Sequence, residues 1–241
     1  MTDQRHVPLQ GARNFRDLGG YRAADGQTIA WGRVYRADRL TDLTRDDVAE
    51  LLDVRGLKTV IDLRTSAEVA RYGPGMIAPH VRRIHRSLLS PSLRLRPSLD
   101  YADWAIAGQD VLADIFAQMT ADDDPFPLVF HCSVGKDRTG IVASLLLSAL
   151  GTPRQTIIDD YALTRKYFNP NDDQIGKWRR RVLKHFPGLS QSVDSRALLD
   201  ADPDTMRRLL DTLDARLGAV ATFLDSLGIN RDRLRARLLE T

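Results

Sequence analysis

Apolar positions change their spacing along this chain, and the change divides it into a strand-rich front and a helical back. Tyr21 to Ala23 and Thr28 to Arg36 are β-type runs on either side of Ala24-Asp25-Gly26-Gln27, the pattern of a hairpin. Thr44, with Asp47 three residues on, predicts a helix cap; Val48, Leu51 and Leu52 follow at helical spacing, and Gly56 ends the helix. Residues 57–63, LKTVIDL, form a short apolar run rich in β-branched residues, which predicts a buried strand with a helix starting at Thr65 or Ser66. Leu128 to His131 is a second such strand. A glycine-containing loop carries it into an apolar helix from Thr139 to Leu150, closed by Gly151, so strand, loop and helix form half of a βαβ unit.

Thr152-Pro153 reads as N-cap and first residue of a helix to about Phe168. Beyond it the pattern is wholly helical, over about 172–186, 203–216, 218–227 and 231–240, with Asp202-Pro203 and Asn230 as starts and Gly228 as a stop. No repeat or low-complexity linker interrupts it. The expectation is one α/β domain over 1–241, with a mainly parallel central sheet flanked by helices and a helical lid at about 169–200.

Composition narrows this only slightly. With 241 residues and 43% hydrophobic content the chain can bury one core. A net charge of +3 suits an acidic substrate without requiring nucleic acid, and none is expected as a partner. MTDQRHVPLQ has no apolar segment of the secretory kind, and Ile141 to Leu150 is too short to span a bilayer, so a cytoplasmic protein with no integral membrane segment is expected; export without a leader stays open. Cys132 is the only cysteine, which excludes an intramolecular disulfide and a resolving thiol. His80 and His85 do not have metal-ligand spacing and HExxH is absent, so no metal or other cofactor is expected.

The chemistry concentrates in His131-Cys132-Ser133-Val134-Gly135-Lys136-Asp137-Arg138-Thr139-Gly140. It puts a cysteine at a strand end and an arginine six residues later at a helix start. Five intervening residues let the loop curl so that successive N–H groups face inward, an anion nest reinforced by the helix N-terminus. Ser133, Val134, Gly135 and Lys136 would then line a bound phosphate, and the same field favours a thiolate nucleophile. Arg138 can offer a planar fork to two phosphoryl oxygens. Gly135 permits a conformation closed to residues with a Cβ, and Thr139 could donate its hydroxyl to the Cys132 sulfur as a phosphocysteine breaks down. A nucleotide-binding Walker loop is excluded, because the position five residues before Gly135 is Phe130.

HCSVGKDRTG resembles the CxxxxxR signature of the protein tyrosine phosphatase superfamily, and its Lys136-Asp137-Arg138 form is similar to that of the atypical bacterial members. Asn14-Phe15-Arg16-Asp17-Leu18-Gly19-Gly20, Val34-Tyr35-Arg36-Ala37-Asp38 and Ile61-Asp62-Leu63-Arg64 resemble that family's segments in the same order, so nearly the whole chain is covered. The resemblance implies a tyrosine-phosphatase-like fold, Cys132 as nucleophile, Arg138 as phosphate-binding arginine, Asp137 as general acid and His131 as a residue that orients the loop. It also implies catalysis without a metal on phosphotyrosine, often on phosphoserine or phosphothreonine, and in some members on phosphoinositides, with inorganic phosphate as product.

Asp62 is the rival acid and a candidate substrate contact: if its strand runs parallel to that of Cys132, both carboxyl ends share the edge where open α/β sheets place their sites. Asp100 and Asp103 are outsiders. Val81 to Pro97 holds Arg82, Arg83, Arg86, Arg94 and Arg96 with no acid, so some could line the cleft; residues 172–186 put Ile175, Trp178, Val182 and Phe186 on one helical face, with basic residues elsewhere. The ordinary reading of both segments is a solvated basic face over a packed apolar one, and the functional alternative is recognition of acidic peptides or inositol lipid head groups. Two other classes stay open: a phosphate-reading module without turnover, and an arsenate-reductase or sulfurtransferase-like enzyme, though the former enzyme would ordinarily need further thiols.

Overall fold

The computed structural model describes residues 4–88, 100–168, 175–176 and 199–240. The first strands in the chain are β1 (Arg16–Asp17), β2 (Thr28–Ile29) and β3 (Val34–Ala37); β4 (Thr59–Asp62), β5 (Arg82–His85) and β6 (Leu128–His131) follow. They form a five-stranded sheet in the order β1-β3-β6-β4-β5, from which β2 is absent. β3, β6, β4 and β5 are mutually parallel and β1 is antiparallel at one edge. The expected mainly parallel sheet is therefore present, with Ala37 and Asp62 both in register with His131. Asp38, Leu63 and Cys132 consequently emerge along one edge.

Strand alternation sends neighbouring residues to opposite faces. Tyr35, Val60 and Val129 pack with Phe15, Leu40 and Leu51 on one side. Val34, Ile61 and Phe130 pack on the other side, in the larger core. On the first side lies α1 (Arg45–Ala49), which continues as a wider turn over Glu50–Val54; Thr44 caps it reciprocally with Asp47, as predicted. α2 (Ser66–Tyr72) has the same arrangement at Thr65 and Glu68. α3 (Tyr101–Ala107) and α4 (Gln109–Met119) precede β6, and α5 (Asp137–Ala149) follows it. Five further helices follow, α6 (Arg154–Ala162), α7 (Thr164–Tyr167), α8 (Pro203–Leu217), α9 (Val220–Ser226) and α10 (Arg231–Leu238); α5 is buried on nearly every side, packed between β3 and β6 of the sheet and α3, α6 and α9.

Several expectations need correction. The turn at Ala24–Gln27 forms, with Ala23 N–H donating to Gln27 O and Ile29 N–H to Tyr21 O. The second run does not continue unbroken to Arg36, because Gly32 turns the chain at φ +72° and delivers Val34–Ala37 to the central sheet instead. β2 pairs with a strand outside that sheet, β7 (Leu239–Glu240), so the final stretch is not helical to its end. The chain from 154 to 168 is two helices rather than one, and Thr152 is no cap: Pro153 is the N-cap, with extended ψ, and Thr152 Oγ1 is buried without a partner among the described residues. β5 lies at the sheet edge, where only Ile84 of its four residues is buried. Such an edge strand reads in sequence as a basic cluster. Arg94, Arg96 and the helix expected at 172–186 lie outside the described residues, save 175–176, and so does most of the lid expected at about 169–200.

Because α5 is enclosed by the core, truncating it should open a cavity that its neighbours cannot fill. Leu146→Ala is expected to lower unfolding free energy by about 2–5 kcal/mol, measured by urea unfolding.

Candidate active site

The loop after β6 begins at Cys132, which is 1% exposed, and ends as α5 starts at Asp137. Gly135 is its pivot, at φ +72°; a Cβ there would lie 2.6 Å from the Ala37 carbonyl oxygen. Only glycine meets both conditions. Three of the loop's carbonyls are anchored by surrounding side chains. His131 Nδ1–H donates to Cys132 O at 3.1 Å. Asn14 Nδ2 donates to Val134 O and Gly135 O at 3.1 Å each, and Arg36 Nη2 donates to Gly135 O at 2.8 Å. Across a planar trans peptide the next N–H points opposite to the carbonyl. Anchoring these oxygens therefore turns the N–H groups of Ser133, Gly135 and Lys136 to the concave side of the loop, where they suit an anion.

The anchors are themselves held by buried charge. Asp160 accepts from Arg36 Nη1 at 2.5 Å, from Arg16 Nε at 3.2 Å and from Tyr21 Oη at 3.1 Å; Arg16 in turn donates to Asn14 Oδ1. Asp38 Oδ1 accepts the Arg13 and Asn14 N–H groups at 3.0 Å, fixing Asn14 from its backbone. Burial alone would favour a neutral Asp160, but the charges of Arg16 and Arg36 outweigh it and bring its pKa to about 2. The segments resembling family motifs thus contribute Asn14, Arg16, Arg36 and Asp38 to a shell beneath the loop. Asp160 has no local sequence signal.

Arg138, the sixth residue after Cys132, lies in the first turn of α5 and is gripped by Glu68. Its Nη1 and Nη2 donate to Glu68 Oε2 and Oε1 at 2.7 and 3.0 Å, and Nη1 reaches Leu63 O at 3.3 Å. Ser133 Oγ donates to the same carboxylate at 2.5 Å. Burial would raise the pKa of Glu68, but the hydrogen bonds and charge of Arg138 hold it well below the usual carboxylate range. Sequence reasoning missed Glu68 because it doubles as the capping residue of α2. Its spacing from Thr65 explains the cap and hides the second role.

Asp62 is placed differently from Asp137. It is fully buried, accepts from Arg64 Nε and Nη2 at 2.9 and 2.8 Å and from Arg83 at 2.9 Å. These partners outweigh burial and hold its carboxyl well below the usual range. Burial also lowers the His131 pKa to about 4, so the ring is neutral and its approach to Asp62, 3.7 Å at Nε2, is not an ion pair. Asp62 shares the sheet edge with Cys132, but its oxygens are committed to arginines. Asp137, by contrast, keeps a side chain 32% exposed beside Lys136, whose Nζ is 3.2 Å from Oδ1. Lys136 Nζ also donates to Asp200 O at 3.2 Å. Thr139 Oγ1 is buried with no hydrogen-bond partner among the described residues, Cys132 included.

Asp100 caps α3 and Asp103 pairs with Arg216 at 2.7 Å, so neither carboxylate joins the loop. The described part of the arginine cluster is also engaged elsewhere: Arg82 with Asp123, Arg83 with Asp62 and Arg86 with Asp114. Among the described residues no group of three His, Cys, Asp or Glu could hold a metal ion, and no helix is long and apolar enough to cross a membrane.

Cys132 thus stands at the end of a parallel strand, with Arg138 six residues on at a helix start and a braced loop between them. The profile of the tyrosine phosphatase family matches residues 7–240. A protein of Cupriavidus necator named as a candidate tyrosine-protein phosphatase is 30% identical, over 94% of this chain and 85% of that one. A tyrosine-protein phosphatase of Nostoc commune is 33% identical over 57% of this chain and 49% of its own length. The triple specificity protein phosphatase PtpB of Mycobacterium tuberculosis is 26% identical over 96% and 98%. The chain belongs to the tyrosine phosphatase family and is a phosphoric monoester hydrolase.

The Asp160 cluster gives a pH test. A carboxylate whose pKa falls on folding adds stability above its unfolded pKa, near 4, and that stability is lost as pH drops through the folded value of about 2. Asp160 should account for about 2 kcal/mol of the loss between pH 4 and pH 2. Asp160→Asn is expected to start about 3–5 kcal/mol lower at pH 7, with Arg16 and Arg36 left without their counter-charge, and to fall less steeply in acid; urea unfolding across the range measures both.

Proposed function

We propose that this protein hydrolyses phosphotyrosine through a phosphocysteine intermediate on Cys132, and that its range extends to phosphoserine and phosphothreonine, with phosphoinositides as a third substrate class. The observation that carries this reading is the pairing of Arg138 with Glu68 across a loop whose carbonyls are tied outward. Catalysis of phosphoryl transfer needs preorganised donors around the phosphorus, and here neither the loop nor the arginine has to reorganise.

In the first step Cys132 Sγ attacks phosphorus in line, the bond to the leaving oxygen breaks, and Asp137 gives that oxygen its proton. In the second step water attacks phosphorus, Asp137 takes a proton from it, the P–S bond breaks and inorganic phosphate leaves. Ser133, Val134, Gly135 and Lys136 contact the phosphoryl oxygens by backbone N–H, and Arg138 follows two of them through the transition state. Thr139 Oγ1, buried with no hydrogen-bond partner among the described residues, is available to the sulfur as leaving group. Asp62 serves as the counter-ion of Arg64 and Arg83, not as the acid. The breadth of the substrate range is supported by the triple specificity named for the Mycobacterium tuberculosis relative.

Phosphate release from phosphotyrosine peptide, phosphoserine peptide and soluble phosphoinositides, measured without added metal, tests the proposal. All three are expected to be hydrolysed by the intact protein and none by Cys132→Ser. Retained turnover in Cys132→Ser would overturn the mechanism, and silence on all three would leave a phosphate-reading module. Asp137→Asn separates chemistry from structure. A phenol leaves with a pKa near 10 and a serine alkoxide is much more basic, so the loss is expected to be about tenfold or more greater on phosphoserine than on phosphotyrosine.

A further inference from the structure

The carboxylate of Asp137 is used unevenly. Tyr101 Oη donates to Oδ1, and Lys136 Nζ is placed at 3.2 Å from that same oxygen. Oδ2 has no hydrogen-bond partner among the described residues. The Tyr101 hydrogen bond and the nearby Lys136 charge draw negative charge to one oxygen and leave the other to carry and release a proton.

Tyr101 is itself fixed. It opens α3 directly after the Asp100 cap, is buried, stacks on Trp104 at 5.6 Å and meets Tyr161 edge-on at 6.1 Å between ring centroids. The two phenol oxygens are 2.9 Å apart. A phenol has one proton to give. Tyr101 gives its own to Asp137, so Tyr161 must donate to Tyr101, and the chain of donors runs one way, from Tyr161 through Tyr101 to Asp137 Oδ1. Burial, reinforced by the negative charge of Asp137, pushes both phenols well above their usual pKa and keeps them protonated as donors. Gly140 makes room for this: a Cβ there would lie 3.0 Å from the Tyr161 ring.

We infer that Tyr101, backed by Tyr161, is the positioning residue that holds Asp137 for proton transfer to the leaving oxygen. The inference rests on the proposed role of Asp137 as acid. Without the Tyr101 hydroxyl the carboxyl keeps only Lys136 on Oδ1, and nothing fixes Oδ2 toward the leaving group. Substrates that depend on a delivered proton then suffer, and those with good leaving groups do not.

The test is the dependence of kcat/KM on leaving-group pKa, over substituted aryl phosphates and a phosphoserine peptide, for the intact protein, Tyr101→Phe, Tyr161→Phe and Asp137→Asn. Tyr101→Phe is expected to lose about ten- to a hundredfold on phosphoserine and no more than about threefold on nitrophenyl phosphate, steepening the dependence; Tyr161→Phe steepens it less. The slope compares substrates on one preparation, so the folded fraction cancels. A Tyr101→Phe slope equal to that of the intact protein, beside a steeper Asp137→Asn slope, overturns the inference alone. An unchanged Asp137→Asn slope overturns the acid assignment beneath it. Should Tyr101→Phe yield no folded protein, an unchanged slope in Tyr161→Phe overturns the inference in its place.

Discussion

A loop that turns its N–H groups toward an anion must hand its carbonyls to something else, and here they go to Asn14, Arg36 and His131. The rest of the site depends on that exchange. Asp160 holds Arg36 directly and Asn14 through Arg16, and Asp38 holds Asn14 at its backbone. Buried ion clusters of this kind seldom add net stability over apolar packing, because desolvation offsets most of the attraction. What this one supplies is direction. A guanidinium with fixed donors leaves the Gly135 peptide one orientation, and the glycine accepts it at φ +72°.

The charges around the cradle are arranged so that its positive potential survives burial. Glu68 neutralises part of Arg138 from the side where Ser133 also lies, and the bidentate geometry fixes the guanidinium plane. Asp62 is matched by Arg64 and Arg83, so a carboxylate on the strand beside that of Cys132 has its charge compensated. The carboxylates near the loop differ in their partners. Glu68, Asp62 and Asp160 face two or more arginine donors, whereas Asp137 faces a phenol and a lysine on a single oxygen.

The helical back of the fold reaches the chemistry through α5 and α6. α5 is buried along its length and carries Arg138 and Asp137 in its first turn, so its rigidity is transmitted to both. α6 places Asp160 beneath the loop and Tyr161 beside Tyr101, two adjacent residues serving two different jobs. Gly140 on α5 allows that close approach.

Much of the fold and of the chemistry was legible in the residues themselves, because the features concerned are local. The Cys132–Arg138 spacing, the left-handed Gly135, the cap at Thr44, the helix start at Thr65 or Ser66, and the apolar runs of β4 and β6 follow from backbone sterics and from side chains a few residues apart. β5 was not legible, since an edge strand buries one residue in four, nor was β7, whose pairing with β2 joins chain segments about 210 residues apart. The roles of the carboxylates were equally hidden. In sequence Asp137 is the expected acid and Asp62 its rival; in the fold sheet order and helix packing bring arginines to Asp62 and a tyrosine to Asp137. Glu68 meets Arg138 across 70 positions and Asp160 meets Arg16 across 144. Sequence by itself determined which groups could do phosphate chemistry. Tertiary structure decided which of them are free to do it, because a side chain's charge and orientation are set by partners that only folding brings within hydrogen-bond reach.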